Sequence, residues 1–261
     1  MNLSLRNKTA VVCGSSQGIG LAAATALAQL GANCVLIARN ESSLKRAVAT
    51  LDTSAGQQHR YATADFDRPA SVEIAIGELM LATAVHILVN NSGGPASGPI
   101  TEAQPSAFTD SFNRHLVCNH ILATAVIPSM KAAGYGRIIN VISTSVKVPL
   151  PNLGVSNTIR GAVASWAKSM SNELGQYNIT VNNVLPGATR TQRLQSIITN
   201  NAARKSISTE EVEQEMLKEI PMRRFGEPDE LANVIAFLAS PAASYVNGVS
   251  IPVDGGRTGC I

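Results

Sequence analysis

Short apolar runs rich in β-branched residues alternate with helix-forming stretches along the whole chain, and this alternation limits the possible folds more than any other feature. Thr9–Gly14, Asn33–Ala38, His59–Ala64, His86–Asn91, Arg137–Ile142, Ile179–Gly187 and Val249–Gly256 read as strands. Each is too short and too β-branched to be read as a helix. Gly20–Gly31, Glu41–Leu51, Ala70–Leu81, Ser106–Lys131, Ser156–Leu174 and Pro228–Ser240 have helical composition. Gly31 serves as a C-terminal stop, and Pro228 stands at a helix start. Apolar strands joined by helices require right-handed crossovers and a mostly parallel sheet covered on both faces. The expected fold is therefore α/β: one doubly wound, Rossmann-like domain over residues 1–261, with about seven strands.

Composition excludes several alternatives. The net charge of +3 is spread thinly, without a block of like charges that would suit nucleic acid or an anionic membrane. The four cysteines form no C-x-x-C pair and do not alternate with histidine at metal-ligand spacing. They read as reduced thiols, and no metal site is expected. The N-terminal "MNLSLRNK" lacks the apolar core of a secretory signal, so a cytoplasmic protein is expected. Thr9–Ala38 carries no charge, but its glycines and amides divide it into strand, turn, helix and strand, not a membrane span.

In a doubly wound sheet the ligand lies outside the carboxyl ends of the strands. The first such loop is "CGSSQGIG", with Gly14, Gly18 and Gly20 between a strand and a helix. Glycines there let the backbone approach a pyrophosphate, and the helix start offers free N–H groups. A glycine-rich turn alone often only closes a tight connection; the strand–turn–helix setting favours nucleotide binding. The second strand ends at Arg39 and not at an acid that would hold a ribose 2′-hydroxyl. A guanidinium there suits a 2′-phosphate, so NADP(H) is expected over NAD(H).

Further motifs follow in order. Asp65-Phe66 follows the third strand, Asn90-Asn91-Ser92-Gly93 the fourth, and Pro186-Gly187 with Thr191 the sixth. "RFGEPDELA", "FLAS" and "VDGG" close the chain. Together these resemble the short-chain dehydrogenase/reductase family, and 3-oxoacyl-ACP reductase-like members in particular, over nearly the whole length. The resemblance implies a nicotinamide cofactor held by Gly14, Ser16, Gln17, Gly18, Ile19 and Gly20. Asp65, Phe66, Asn91, Ser92 and Gly93 would add to that site, as would Pro186, Gly187, Thr189 and Thr191. It also implies a flap over the substrate from residues 191–219 and a homotetramer built on the two long helices.

The catalytic positions depart from that family. Its serine corresponds to Ser143, but its tyrosine and lysine correspond to Ser156 and Arg160, and its supporting asparagine to His115. A serine hydroxyl is a far weaker acid than a phenol and stops about a ring's length short. Arg160 can bind ribose hydroxyls, or grip an anionic group on a substrate, but does not readily release a proton. A water relayed through Ser156, or His115, is left as the proton source. His115 equally reads as a helix histidine satisfied by its neighbours. Three readings follow: an NADP(H)-dependent oxidoreductase acting on a carbonyl or alcohol with an altered proton relay; a cofactor-binding sensor with little or no turnover; and a lyase or isomerase on the same fold. The retained glycine loop disfavours the third. Retention of Ser143 favours the first over the second. A small-molecule substrate is expected, of unreadable identity.

Overall fold

The computed structural model describes residues 1–260. Seven strands form one sheet: β1 (Thr9–Cys13), β2 (Asn33–Ala38), β3 (Arg60–Thr63), β4 (Ile87–Asn90), β5 (Gly136–Val141), β6 (Ile179–Pro186) and β7 (Ser250–Val253). Their order is β3-β2-β1-β4-β5-β6-β7, and every pairing is parallel. The order reverses between β1 and β4, so a crevice opens there at the carboxyl ends, as the doubly wound topology demands.

Helices cover both faces. On one lie α1 (Gly18–Gln29), α2 (Glu41–Ala49) and, late in the chain, α9 (Pro228–Ala239). Their Ala23, Leu27, Leu44, Leu231 and Ile235 are packed against Val12, Leu36 and Val89. On the other face lie α3 (Pro69–Met80), α4 (Pro105–Phe112), α5 (Cys118–Ala133) and α6 (Gly154–Leu174). Val72, Leu122, Val126 and Ala167 meet Val11, Leu88 and Ile138 there. Central strands buried on both faces explain why their sequences run apolar without alternating.

The element boundaries differ from expectation where local chemistry intervenes. β1 stops at Cys13 because Gly14 takes a left-handed φ of 57° and turns the chain towards α1. The predicted helix from Ser106 to Lys131 is interrupted at Asn113–Val117 by a π turn that carries His115. Such turns cluster at functional sites because they re-aim side chains. The helical run Pro105–Ala133 is long and apolar enough to cross a bilayer, but here it packs on α3 and α6. Residues 191–219 form two helices, α7 (Gln192–Lys205) and α8 (Thr209–Lys218), joined at Ser206 in the left-handed region. That break is why the whole segment shows no single apolar period. Leu194, Ile198 and Ala202 recur every fourth residue and pack with Val212, Ile220 and Phe225 in a separate small core.

A buried amide ladder crosses the sheet near its carboxyl edge. Asn90 donates to Asn140 (2.9 Å), Asn140 to Asn183 (3.0 Å), and Asn183 to Ser250 Oγ (3.0 Å), each across a strand-to-strand register pair. Cys13, Cys34 and Cys118 are buried free thiols; burial pushes Cys34 and Cys118 up to about 12. They are inert at neutral pH.

Candidate active site

A cleft of about 1040 Å³ lies at the carboxyl ends of the strands. Its floor is the glycine loop. A Cβ on Gly14 would sit 2.7 Å from the Asn91 carbonyl oxygen, and one on Gly20 would sit 2.3 Å from that of Gly14. Neither position tolerates a side chain. The Asn91 amide donates to the carbonyl oxygens of Cys13 and Gly14, both at 3.2 Å, and clamps this turn to the loop after β4. Ser15 pins it from below, donating to Val12 (2.7 Å) and accepting from Ile37 N–H (3.1 Å). Gln17 stands before α1 without a side-chain cap, so the N–H groups of the first turn have no internal acceptor. A bare helix start over a turn that admits only glycine at positions 14 and 20 fits a dinucleotide pyrophosphate.

Most of the expected cofactor residues line this cleft, among them Ser16, Gln17, Gly18, Ile19, Ser92 and Gly93. Gly20 does not; it lies under the loop, and its smallness serves the close approach of α1 to Gly14. At the β2 end, Arg39 is largely exposed and contacts Asp67 at 3.5 Å. Asp65 accepts from Asp67 N–H (3.1 Å), and Phe66 is buried beside it. At the β6 end, Pro186, Gly187 and Thr189 form the wall, and Thr191 caps α7 by accepting from Leu194 N–H (3.3 Å).

The other end of the cleft holds the altered residues. Ser143 follows β5, and its Oγ accepts from Ser145 N–H (3.1 Å), which fixes its rotamer. Ser156 and Arg160 lie one turn apart on α6 and both face the cleft. Arg160 is buried. Its Nη1 donates to the Val141 carbonyl oxygen (2.9 Å), while its Nε has no partner. Burial, and then Arg193, lowers it to about 10, still charged at neutral pH.

His115 is not in the cleft wall but directly behind Ser92, whose Oγ lies 2.7 Å from its Nδ1; its Nε2 is buried without a partner. Burial first, then Arg160, Arg114 and Arg193, pushes the imidazole down to about 2. The expectation of a histidine titrating in a useful range is thereby corrected. His115 is held neutral at neutral pH and hydrogen-bonds Ser92. Nor does a tyrosine from elsewhere replace the missing phenol. Tyr135 donates to the Ala239 carbonyl oxygen (2.5 Å) between Lys8 and Arg137; Tyr61 bonds Glu41, Tyr177 underlies Lys131, and Tyr245 is exposed. None of the four lines the cleft.

The contacts of two residues escaped the sequence reading. Asn90, read there with the cofactor motif after the fourth strand, turns its amide into the ladder, away from any ligand. Arg193, in the first turn of α7, reaches across to the loop after β4 and donates to the Pro95 carbonyl oxygen (2.6 Å). Its place two residues after the Thr191 cap was the available signal.

A parallel sheet in this order, a glycine turn that leaves the start of α1 bare and a serine after β5 on the same cleft define a doubly wound fold of the dinucleotide-binding type. Comparison with known proteins agrees. The family model described as "Enoyl-(Acyl carrier protein) reductase" matches residues 14–258. The chain is 33% identical over 259 residues to the 7alpha-hydroxysteroid dehydrogenase of Escherichia coli (strain K12), covering 98% of this chain and 96% of that one. The L-sorbose reductase from Gluconobacter frateurii, solved with NADPH and L-sorbose, superposes with a TM-score of 0.93 at 30% identity over 100% of both chains. A gluconate 5-dehydrogenase from Burkholderia cenocepacia J2315, solved with NADP and tartrate, gives 0.88 at 31% identity over 100% of this chain and 98% of that one. The chain belongs to the short-chain dehydrogenase/reductase family. It is an oxidoreductase of the carbonyl/alcohol type.

Proposed function

We propose that the protein is an NADP(H)-dependent oxidoreductase that reduces a carbonyl, or oxidises the corresponding alcohol, without a phenolic proton donor. The observation that carries this reading is the pairing of a glycine cradle no side chain could enter with Ser143 held by the Ser145 N–H at the far end of the same cleft. The cofactor supplies the hydride. Ser143 is placed to donate to the carbonyl oxygen. Arg160 holds the nicotinamide-side ribose hydroxyls and places positive charge where negative charge develops. Ser156, which makes no hydrogen bond in the protein, faces the space the phenol would fill and there orients a water as proton source. Neutral His115 sets the Ser92 hydroxyl through the 2.7 Å contact.

Arg39 supports a preference for NADP(H). Its only carboxylate contact is long and exposed, of a kind worth about 0–1 kcal/mol, and a 2′-phosphate would readily displace it. NADPH or NADP is bound in the two solved relatives above. Helices α7 and α8, with their own small core and with Arg193 and Met216 on the cleft, serve as the substrate-covering flap. The half-buried apolar side chains Ile121, Trp166 and Met170 on α5 and α6 support assembly as a tetramer through these helices.

The test is an NADPH titration followed by turnover on a carbonyl panel. Ser143→Ala should cut turnover at least about a hundredfold and leave NADPH affinity nearly unchanged, whereas Arg160→Ala should weaken both. Turnover of Ser143→Ala at the wild-type rate would refute the site. Tight NADPH binding with no carbonyl of any class reduced would move the protein to the sensor reading, which the lack of a phenol in the cleft favours.

A further inference from the structure

Arg160 and Arg193 enter the cleft from opposite walls, one from α6 and one from the flap, and neither meets a carboxylate among the described residues. Most other basic side chains around the cleft are compensated. Arg39 and Arg114 share Asp67, Arg190 pairs with Glu227, Lys205 with Glu215, and Arg257 with Glu219. Arg204 bonds the Asn201 side chain at an exposed outer position. Of the two unpaired guanidinia, Arg160 is the most deeply set arginine of the cleft. Arg160 is buried, and Arg193, an exposed residue of the flap, lays its guanidinium over Gly94, where a Cβ would come within 3.4 Å of Nη2. Burial lowers both, and each also feels a neighbouring arginine.

A buried charge without a partner is costly, and removing a partner from such a charge is among the more damaging changes a protein can suffer. Buried Arg160, with the unpaired guanidinium of Arg193 across the same cleft, is therefore arranged for an anion that arrives with a ligand. The cofactor phosphates do not supply it. The pyrophosphate cradle is at the start of α1, and the 2′-phosphate position is at Arg39, at the other end of the cleft. Tying the flap down does not explain Arg193 either, because its bond to the Pro95 carbonyl oxygen needs only an N–H donor and no charge.

We propose that the substrate carries an oxyanion, a carboxylate or a phosphate ester, which lies between Arg160 and Arg193 and directs the reacting carbonyl towards Ser143. This rests on the oxidoreductase reading above and narrows its substrate class. Guanidinia match both oxyanions through paired N–H donors. Binding energy from this remote group also holds the carbonyl in place, which matters more in a site without a strong acid.

The test compares levulinate with methyl levulinate, the same ketone with and without a charge, using NADPH and the full-length protein. Wild type should favour the acid at least about tenfold in kcat/KM. Arg193→Gln keeps a donor for Pro95 but removes the charge, and should bring the ratio close to one. Independently of activity, malonate and inorganic phosphate are titrated into the NADPH-saturated protein and thermal unfolding is followed. A saturable rise in Tm should occur in wild type and be lost in Arg193→Gln; whichever anion produces it identifies the oxyanion. Equal turnover of acid and ester without a saturable shift from either anion would overturn the proposal and leave the reductase reading standing. Retention of the preference in Arg193→Gln would likewise overturn it. A saturable shift without turnover of either ketone would support the anion site and count against the reductase reading.

Discussion

His115 shows how the surroundings of one residue decide its chemistry. In an exposed helix it would titrate near 6.5; here burial and three arginines hold it neutral down to about 2. Between those values the unfolded chain binds a proton that the folded chain refuses, so stability falls as pH drops from about 6.5. One such proton contributes a slope approaching about 1.4 kcal/mol per pH unit. His115→Asn should flatten the acid limb of the stability curve between pH 6 and 4 by about that amount, as measured by urea unfolding at several pH values. An unchanged slope would mean that the imidazole is protonated in the folded protein. Arg39 poses the opposite case, an exposed residue whose role depends on its ligand. Arg39→Asp should exchange the proposed NADPH preference for NADH, because a charge-assisted phosphate contact is worth about 1.5–3 kcal/mol and its reversal becomes repulsion. Equal affinities for the two cofactors in the wild type, by fluorescence titration, would sink that assignment.

At the scale of elements, the amide ladder across β4, β5, β6 and β7 joins four strands below the cleft floor. Interior strands of a parallel sheet are otherwise apolar, so each amide must find a partner within the ladder. Asn140 is its centre, donating to one neighbour and accepting from the other. Asn140→Ala should strand the Asn90 donor and the Asn183 acceptor at about 1–3 kcal/mol each, read as a lower urea midpoint with unchanged slope. A loss below about 0.5 kcal/mol would show that water replaces the missing amide. The flap is built on different terms. Its helices α7 and α8 are held by side-chain caps, Thr191 on one and a Ser208/Glu211 capping box on the other, and by a core of its own. Its packing is therefore independent of the cores under the sheet, which suits the flap role proposed for it.

For the whole molecule, the outer face of α5 and α6 is the unfinished surface. Trp166 donates to His120 across the two helices (3.4 Å), and a Cβ added to Gly161 would meet nothing within 4 Å. A small residue on an apolar helix face lets a second helix approach closely. Gly161→Arg should therefore leave the monomer folded and reduce the proposed tetramer to smaller species in sedimentation velocity at micromolar concentration. An unshifted sedimentation coefficient would place the interface elsewhere.

The succession of strands, the parallel doubly wound sheet and the position of the cofactor loop were legible in the sequence because each follows from local patterns: apolar runs, glycine spacing and helix stops. That Ser143, Ser156 and Arg160 line one cleft was legible too, because their positions are counted from those same motifs. Contacts between distant segments were not. That Asn90 faces a ladder and not a ligand depends on register with Asn140, 50 residues away. That His115 is neutral depends on Arg160 from α6 and Arg193 from the flap, which no local pattern places beside it. The sequence by itself determined which backbone turns between β1 and α1 on glycine and which side chains stand at the family's tyrosine and lysine positions. Only the tertiary structure decided which charges stand unpaired in the cleft, because solvation and Coulomb interactions depend on distance in space and not on separation along the chain.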